Sequence, residues 1–323
     1  MTAQHEYGGV SAENLGKRFG ELWALRNVDL EVAPGTVLGL LGHNGAGKTT
    51  AIRIFTTLTQ PTTGRAIVAG VDVAHDPALV RSRIGVAAQQ ATVDGLLSGP
   101  KNLEMFGRLY HLPRKAAKSR AEQLIVALDL VDAGDRLVKN YSGGMRRRLD
   151  LAASIIASPA VLFLDEPTTG LDPRSRTDLW QVLRDLVRDG TTLILTTQYL
   201  EEADRLADQV VVLDQGSVVA KGSPEELKSR IGGDRIDVTV ESAPELEAAA
   251  AALAPFASAA PTTHQEPLQV TAPILENVRL IDVVRALDSA GVEAIDINRR
   301  QATLDDVFLT LTSDQHPKIE VPS

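Results

Sequence analysis

A short segment near the N-terminus has the residue types and spacing of a phosphate-binding loop. The string Gly42-His43-Asn44-Gly45-Ala46-Gly47-Lys48-Thr49 fits the pattern G-x-x-x-x-G-K-[ST] without a mismatch. Glycines let such a loop point its backbone N–H groups inward, and the following helix N-terminus adds positive potential. Lys48 would reach the β- and γ-phosphates, and the Thr49 hydroxyl would bind Mg²⁺. We therefore predict that residues 42–49, together with Thr50, bind a nucleotide.

A pair of carboxylates, Asp165 and Glu166, follows the apolar run at 161–164. If that run is a buried strand, the acids lie at the carboxyl end of a sheet, where ligands gather in open α/β folds. Asp165 would hold Mg²⁺, usually through water, while Glu166 would orient and deprotonate a water for in-line attack. A solvated loop pair is the alternative, and the intact phosphate loop disfavours it.

Two single-residue signals are less specific. Gln89 and Gln90 follow a candidate strand at 84–88, and an amide there could touch Mg²⁺ or the attacking water. Phe19 stands just upstream of the phosphate-loop unit and could stack on an adenine ring, as aromatic side chains do with bases elsewhere. Core packing is the other interpretation of Phe19, and composition does not decide between them.

A second glycine-rich segment, Ser142-Gly143-Gly144, precedes a predicted helix at 146–157. The same dipole and loop geometry makes it a possible second anion site, although an ordinary capped helix start is the alternative. The triplet Arg146-Arg147-Arg148 could suggest nucleic acid. In an acidic protein we interpret it as a solvated or phosphate-facing helix edge.

Periodic apolar segments predict the elements that position these residues. Buried strands are predicted at 37–41, 161–164 and 193–197, a half-buried strand at 28–32, and a closing hairpin at 210–220. Helical spacing at 102–110 and 116–128 predicts a helical insertion at 98–140 within an α/β domain. After residues 232–233 the pattern restarts, in the order βαβαβα.

Composition limits the classes of protein that fit. The chain has 323 residues, 44% of them hydrophobic, a net charge of −9 and no cysteine. This length indicates about two globular domains, and the acidic balance disfavours a nucleic-acid partner. The absence of cysteine excludes disulfides and zinc thiolates and fits a reducing compartment. We find no signal-peptide pattern and no apolar run of the roughly 20 residues that a transmembrane helix needs.

Taken together, these motifs make residues 10–230 resemble the nucleotide-binding subunit of ABC transporters. The phosphate loop matches the Walker A motif, residues 161–166 match Walker B, residues 142–144 match the heart of the signature motif, and residues 169–172 match the D-loop. The stretches at 141–148, 196–200 and 304–309 are similar to the daunorubicin-resistance type of drug-export ATPase.

The resemblance implies a fold class: an α/β P-loop NTPase of ABC type, with a mixed sheet core, an antiparallel β subdomain, a helical subdomain and a small C-terminal α+β domain. We expect the ATPase domain at 8–232, its helical subdomain at about 90–157, and the accessory domain at 233–315. We see no polar cluster in the accessory domain, and therefore favour a bracing or dimerising role over binding of a regulatory small molecule.

The resemblance also implies a head-to-tail dimer with Mg²⁺-ATP between two protomers. In it Ser142, Gly143, Gly144 and Asp172 would complete the partner's site, Phe19 would stack on adenine, and Gln89 would sense Mg²⁺ and the transmembrane partner. Met145 and Tyr141 depart from the signature pattern. Gln198 stands where the family usually has histidine, so we expect it to position the γ-phosphate without titrating.

The function implied is that of an ATP-hydrolysing motor subunit at the cytoplasmic face of the membrane. It would energise export of drugs or other hydrophobic small molecules through a separate integral-membrane permease, which the helical insertion would contact. The alternative is a soluble ABC-type ATPase that acts on ribosomes or nucleic acid. The single ATP site, the lack of sustained heptads and the acidic charge disfavour that alternative.

Overall fold

The computed structural model describes residues 9–87, 92–230, 234–275 and 278–312. The chain divides between Lys221 and Gly222 into two compact units. The domain boundary expected between residues 232 and 233 stays a prediction, which limited proteolysis would test.

Two sheets organise the larger unit. Its strands are β1 (Val10–Phe19), β2 (Leu22–Val32), β3 (Val37–Leu41), β4 (Thr63–Val68), β5 (Val71–Asp72), β6 (Ile84–Ala87), β7 (Val161–Asp165), β8 (Thr192–Thr196), β9 (Gln209–Asp214) and β10 (Ser217–Gly222). The smaller sheet has the order β2-β1-β4-β5 and is antiparallel. The larger has the order β10-β9-β3-β8-β7-β6. The strand predicted at 28–32 is the second half of β2. The alternation of apolar residues predicts neither the first half of β2 nor the full length of β1.

The parallel part of the large sheet explains where the predicted site forms. β9, β3, β8, β7 and β6 run parallel to their neighbours, and every residue of β3 and β8 is buried. Strands that are buried on both faces have continuous apolar sequences, and the segments of β3 and β8 have this pattern. Their carboxyl ends share one edge, so the loops that follow β3, β8 and β7 start side by side.

The hairpin of β9 and β10 closes the sheet, as predicted. Gln215 and Gly216 connect the two strands and both have positive φ, 46° and 81°. Two residues in the left-handed region form the type of tight turn that joins antiparallel strands. The large sheet is therefore mixed, in agreement with the expected fold class.

Helices cover the sheet and form the predicted insertion. Those of the larger unit are α1 (Lys48–Phe55), α2 (Pro77–Arg83), α3 (Gly99–Leu109), α4 (Arg114–Ala127), α5 (Gly143–Ser154), α6 (Pro173–Arg188) and α7 (Leu200–Leu206), with 3₁₀ turns at Val131–Ala133 and Val138–Asn140. α3 and α4 occupy the segment in which apolar spacing predicts helices. They pack with α5 around buried leucines such as Leu103, Leu124 and Leu149.

The smaller unit is an α+β fold. Its elements are α8 (Pro224–Arg230), β11 (Arg235–Val240), α9 (Ala243–Leu253), a 3₁₀ turn (Ala254–Phe256), β12 (Thr262–Gln265), β13 (Leu268–Pro273), α10 (Leu280–Ser289), β14 (Ala294–Arg300) and α11 (Leu304–Thr312). The antiparallel sheet has the order β12-β13-β11-β14. The predicted order βαβαβα lacked β12. This edge strand consists of polar residues that are mostly exposed, so no apolar alternation marks it.

Candidate functional site

The phosphate loop depends on two glycines that no other residue could replace without movement. Gly42 and Gly47 have φ angles of 155° and 110°. A Cβ on Gly42 would lie 2.5 Å from the Leu213 carbonyl oxygen, and one on Gly47 would lie 2.6 Å from that of Ala24. Ala46 is buried between them. The close approach of β2 and β9 therefore fixes the path of the loop into α1.

Lys48, the first residue of α1, is held inside the loop and is only 6% exposed. Its Nζ donates hydrogen bonds to the carbonyl oxygens of Gly42, at 2.7 Å, and His43, at 3.1 Å. Burial lowers the pKa of Lys48, while the negative charges of Glu166 and Asp165 act in the opposite direction. The ammonium group therefore lies within electrostatic reach of Asp165, the predicted Mg²⁺ ligand, and of Glu166, the predicted catalytic base.

The outer part of the loop is open to solvent. The ring of His43 bridges the Asn44 carbonyl, 2.7 Å from Nδ1, and the Asp214 carboxylate, 2.8 Å from Nε2. A Cβ on Gly45 would meet nothing within 4 Å. The loop residues that are exposed or half-buried are His43, Asn44, Gly45, Thr49 and Thr50. These exposed positions leave room for a ligand beside the N-terminus of α1.

The carboxylate pair is fixed by β8, the strand that separates it from the phosphate-loop strand. Thr196 Oγ1 donates a hydrogen bond to Asp165 Oδ1, and the Glu166 amide donates to the Thr196 carbonyl at 3.0 Å. Thr169 Oγ1 donates to Glu166 Oε2 at 3.3 Å. The structure therefore brings Lys48, Asp165 and Glu166 together at the carboxyl edge of the sheet, and sequence reasoning missed Thr196 and Thr169.

Glu166 has a strained backbone, with φ at 50° in the left-handed region. Arg147 holds the carbonyl groups around it. Its Nε donates to the Pro167 oxygen at 2.7 Å, and its Nη2 donates to the oxygens of Asp165 and Glu166 at 3.1 and 2.7 Å. Strain of this kind persists where surrounding contacts over-determine it. Arg147 thus ties α5 directly to the turn that carries Glu166.

The interpretation of the arginine triplet as one solvated or phosphate-facing edge is wrong for two of its members. Arg146 is exposed, whereas Arg147 binds the carbonyl groups described above. Arg148 Nη1 donates to the carbonyl oxygens of Leu128 and Asp129, both at 3.2 Å. Successive residues on a helix point about 100° apart, so three consecutive arginines face three directions.

Glu202, in α7, is a buried acid that the sequence did not single out. It is 0% exposed, and Trp180 Nε1 donates to its Oε1 at 3.2 Å. Burial raises its pKa, and the positive charge of Arg147 is among the influences that oppose this rise. A buried carboxylate is costly unless it is partnered, so the Trp180 hydrogen bond and the positive charge of Arg147 both help to offset the burial of Glu202.

The second glycine-rich segment begins α5. Ser142 is the N-cap, and its Oγ accepts a hydrogen bond from the Met145 amide at 3.2 Å. Asp172 caps α6 in the same way, accepting from the Ser175 amide at 3.0 Å and from Ser175 Oγ at 2.8 Å. These bonds lower the pKa of Asp172. The capped helix start is therefore present, and its exposed glycine, Gly143, leaves the N-terminus of α5 accessible.

Gly144 brings the two capped helices close together. A Cβ on Gly144 would lie 3.2 Å from Ser175 Oγ, so the first turns of α5 and α6 are neighbours. The segments that resemble the signature motif and the D-loop therefore form one exposed surface. Their contact with a partner's nucleotide stays a prediction.

The remaining predicted residues lie at the edge of the site or outside the described residues. Phe19 is 52% exposed at the end of β1, with Lys17 Nζ 5.0 Å from the ring centroid. Core packing is therefore the wrong interpretation of Phe19, and adenine stacking stays a prediction. Gln198 is exposed just beyond β8. Gln89 and Gln90 lie outside the described residues.

Neither a cluster of metal-binding side chains nor a membrane-spanning helix occurs among the described residues. Within the described ranges, no group of three or more histidine, cysteine, aspartate and glutamate side chains could hold a metal ion. In the same part of the chain, none of the helices combines the length and apolar character that a membrane span requires.

Comparisons with known proteins agree with this geometry. A family model described as "ABC transporter" matches residues 25–169. The chain is 54% identical over 312 residues to "Daunorubicin resistance ATP-binding protein DrrA2" of Streptomyces coeruleorubidus, covering 96% of this chain and 97% of the relative. It is 46% identical to "Doxorubicin resistance ATP-binding protein DrrA" of Mycobacterium tuberculosis, covering 91% and 90%. It is 37% identical to "Nod factor export ATP-binding protein I" of Ralstonia nicotianae, covering 94% and 93%.

Solved structures support the fold. The ATP-binding cassette MJ0796, in a dimeric post-hydrolysis state bound to ADP and Pi, matches with a TM-score of 0.61 at 24% identity. The match covers 66% of this chain and 98% of that one. cbiO1 from Clostridium perfringens matches with a TM-score of 0.63, covering 69% of this chain and 92% of that one.

Proposed function

Because this chain belongs to the daunorubicin- and doxorubicin-resistance group of ABC transporter ATP-binding proteins, it binds and hydrolyses ATP, and we propose that it drives a separate membrane permease. The single observation that carries the proposal is the convergence of Lys48, Asp165 and Glu166 at one edge of the sheet. A cationic cradle beside two acids is the arrangement that phosphoryl transfer to water needs.

The chemistry at this edge consists mainly of positioning and charge neutralisation. Lys48 and the loop amides bind the β- and γ-phosphates, and Phe19 stacks on adenine. Thr49, Asp165 and Gln89 would hold Mg²⁺, and the ion would neutralise phosphate charge when bound. Glu166 orients the attacking water and accepts its proton, and the Thr169 hydroxyl fixes the direction of the carboxylate.

The exposed surface of Ser142, Gly143, Gly144 and Asp172 completes the site of a second protomer. In one protomer these residues lie at helix N-termini whose amides favour anions. A head-to-tail dimer would place this surface against the partner's phosphate loop. ATP then joins the two protomers and hydrolysis releases them.

The helical insertion offers a surface for the permease at the cytoplasmic face of the membrane. Leu96 and Leu109 are 71% and 65% exposed, and Met105 of α3 is also exposed. Large apolar side chains exposed on one subdomain are typical of an interaction site. The permease itself would carry the transported drug or other hydrophobic small molecule.

Co-purification with the permease and drug-stimulated ATP hydrolysis would test this function. We expect the chain to co-purify with an integral-membrane subunit, and daunorubicin or a similar amphipathic drug to raise the turnover of the complex. ATP hydrolysis that is stimulated by ribosomes or nucleic acid instead would favour the alternative, which none of the relatives described above supports by name.

Gln198 is expected to position the γ-phosphate without exchanging a proton. Replacing it with alanine removes a hydrogen bond to a charged group, which should lower kcat about 10- to 100-fold. Gln198→His should retain activity but shift the pH profile of hydrolysis, because imidazole titrates near neutral pH. Gln181→Ala, at an exposed position of α6, is the control. An unchanged rate of ATP hydrolysis in Gln198→Ala would contradict a role of Gln198 in positioning the γ-phosphate.

Arg147 is expected to act as a positioning residue for Glu166. Arg147→Gln cannot make the three carbonyl contacts, so the catalytic turn should relax and kcat should fall about 10- to 100-fold. ATP binding should change little, because the carbonyl groups that Arg147 holds belong to the turn that carries Glu166 and not to the phosphate loop. Steady-state kinetics and nucleotide titration together separate these two effects.

The neighbouring Arg146 provides a matched control, since it is exposed one residue away in the same triplet. Arg146→Gln should retain normal turnover. Arg147→Lys should recover part of the rate, because lysine retains the charge but not the planar set of donors. Equal turnover in Arg147→Gln and Arg146→Gln would show that the carbonyl contacts do not position Glu166.

A further inference from the structure

One face of α6 contacts the segment that follows β8 at several points. Arg176, Trp180 and Arg184 are spaced four residues apart, so they lie along the same face of the helix. Each of them contacts the segment at 199–205, which consists of α7 and the residue before it. This face of α6 therefore contacts α7 from its N-cap to its last turn.

Trp180 makes the central contact. It is 5% exposed, and its Nε1 donates to Oε1 of the fully buried Glu202 at 3.2 Å. The guanidinium carbon of Arg205 lies 5.3 Å from the centroid of the Trp180 ring. α7 thus presents an acceptor to the edge of the indole and a cation to its face. Both interactions depend on direction as well as distance, so they fix α7 on α6 more closely than apolar packing alone.

Contacts at both ends of α7 continue this pattern. The guanidinium carbon of Arg176 lies 5.6 Å from the centroid of the Tyr199 ring, at the N-cap of α7. Arg184 Nη2 donates to the Arg205 carbonyl oxygen at 2.8 Å, in the last turn. α7 has only seven residues, and a helix this short depends on tertiary contacts for its stability. Its position is therefore set by α6.

Gln198 is the exposed residue that stands just before the N-cap of α7. The Thr197 hydroxyl accepts a hydrogen bond from the Tyr199 amide at 2.9 Å, which closes a short turn around Gln198. Burial raises the pKa of Glu202, and hydrogen bonding by the Thr197 hydroxyl opposes this rise, so the hydroxyl lies beside that carboxylate. The backbone on both sides of Gln198 is therefore tied to the contact between α6 and α7.

We propose that Trp180 and Glu202 are positioning residues for ATP hydrolysis, which hold α7 on α6 and thereby keep the Gln198 side chain within reach of the γ-phosphate. The proposal rests on the role proposed above for Gln198. Trp180 is buried behind this segment, whereas the predicted contacts to adenine and to the β-phosphate lie on β1 and the phosphate loop. A change at Trp180 should therefore appear in kcat and not in KM for ATP.

A double-mutant cycle of Trp180→Phe and Gln198→Ala in the full chain tests the proposal. Trp180→Phe keeps an aromatic ring but cannot donate to Glu202, so kcat should fall about 10-fold while KM for ATP stays unchanged. In the Gln198→Ala background the same change should lower kcat by less than about 2-fold, because the side chain that α7 positions is already missing.

The cycle separates a positioning role from a merely structural one. An equal loss of kcat in both backgrounds, a loss that appears only in KM, or an unchanged kcat in Trp180→Phe would each overturn the proposal and leave the role of Gln198 intact. If Gln198→Ala alone hydrolyses ATP at the wild-type rate, the role of Gln198 fails and this proposal fails with it.

Arg176→Met covers the case in which Trp180→Phe fails to fold. Methionine keeps an apolar stem at this half-buried position but removes the cation that faces Tyr199. We expect kcat to fall about 2- to 5-fold, and only while Gln198 is present. Arg188→Met, at an exposed arginine farther along α6, should hydrolyse ATP at the wild-type rate. Equal turnover in the two arginine variants would overturn the proposal.

Discussion

Glu166→Gln is expected to bind ATP normally, to lose about 10²- to 10⁴-fold in turnover, and to accumulate as an ATP-bound dimer. Glutamine has the shape of glutamate and its carbonyl can accept the Thr169 hydrogen bond, so the strained turn should survive. What it lacks is the ability to accept a proton from the attacking water. Turnover would be measured by phosphate release, and the dimer by size-exclusion chromatography with light scattering in Mg²⁺-ATP.

Glu201→Gln is the matched control, because Glu201 is an exposed glutamate beside the buried Glu202. It should remain monomeric after turnover and hydrolyse ATP at the wild-type rate. A Glu166→Gln protein that hydrolyses ATP like wild type would assign the proton acceptor to another group. If the Glu166→Gln protein is inactive but forms no dimer, the catalytic role of Glu166 stands and the predicted head-to-tail dimer is contradicted.

The parts of the site that the sequence predicts are those whose signal is local. The phosphate loop needs its glycines at fixed positions, because β2 and β9 approach at Gly42 and Gly47. Asp165 and Glu166 are recognisable because they end a run of buried residues. In both cases the residues that carry the signal are neighbours in the chain, so the pattern can be recognised without knowledge of the fold.

The parts that sequence reasoning missed depend on contacts between segments far apart in the chain. Thr196 is recognisable as a partner of Asp165 only once β8 is known to pair with β7. Arg147 resembles its two neighbours in the sequence, and only the packing of α5 turns it toward the carbonyl groups after β7. No local pattern distinguishes these roles.

In the C-terminal unit, sequence reasoning missed a cluster of charged residues for the same reason. Arg235 and Arg300 are paired across β11 and β14, and Asp306 follows in α11. In the sequence these residues look like ordinary surface charges. Polar edge strand β12 was missed for a related reason, since it needs no buried face to pair with β13.

Lys48→Ala is expected to weaken ATP binding about 10- to 100-fold, which follows from the loss of one charge-assisted contact to phosphate. In the structure Lys48 Nζ is bonded only to the carbonyl oxygens of Gly42 and His43, among the residues described. These neutral acceptors hold the ammonium group in place for a charged phosphate. Titration with a fluorescent ATP analogue would measure the affinity, with exposed Lys118→Ala as control.

We expect Lys48→Ala to fold normally. A loss of ATP binding in this variant can then be assigned to the missing contact and not to unfolding. Burial lowers the pKa of Lys48, so the folded chain already bears a desolvation cost for this charge that alanine does not. The opposing effect is that Asp165 and Glu166 lose a nearby cation. These two effects act in opposite directions, so the melting temperature of Lys48→Ala without nucleotide should stay within a few degrees of wild type. A variant that melts normally and still binds ATP with wild-type affinity would contradict the role of Lys48 at the phosphates.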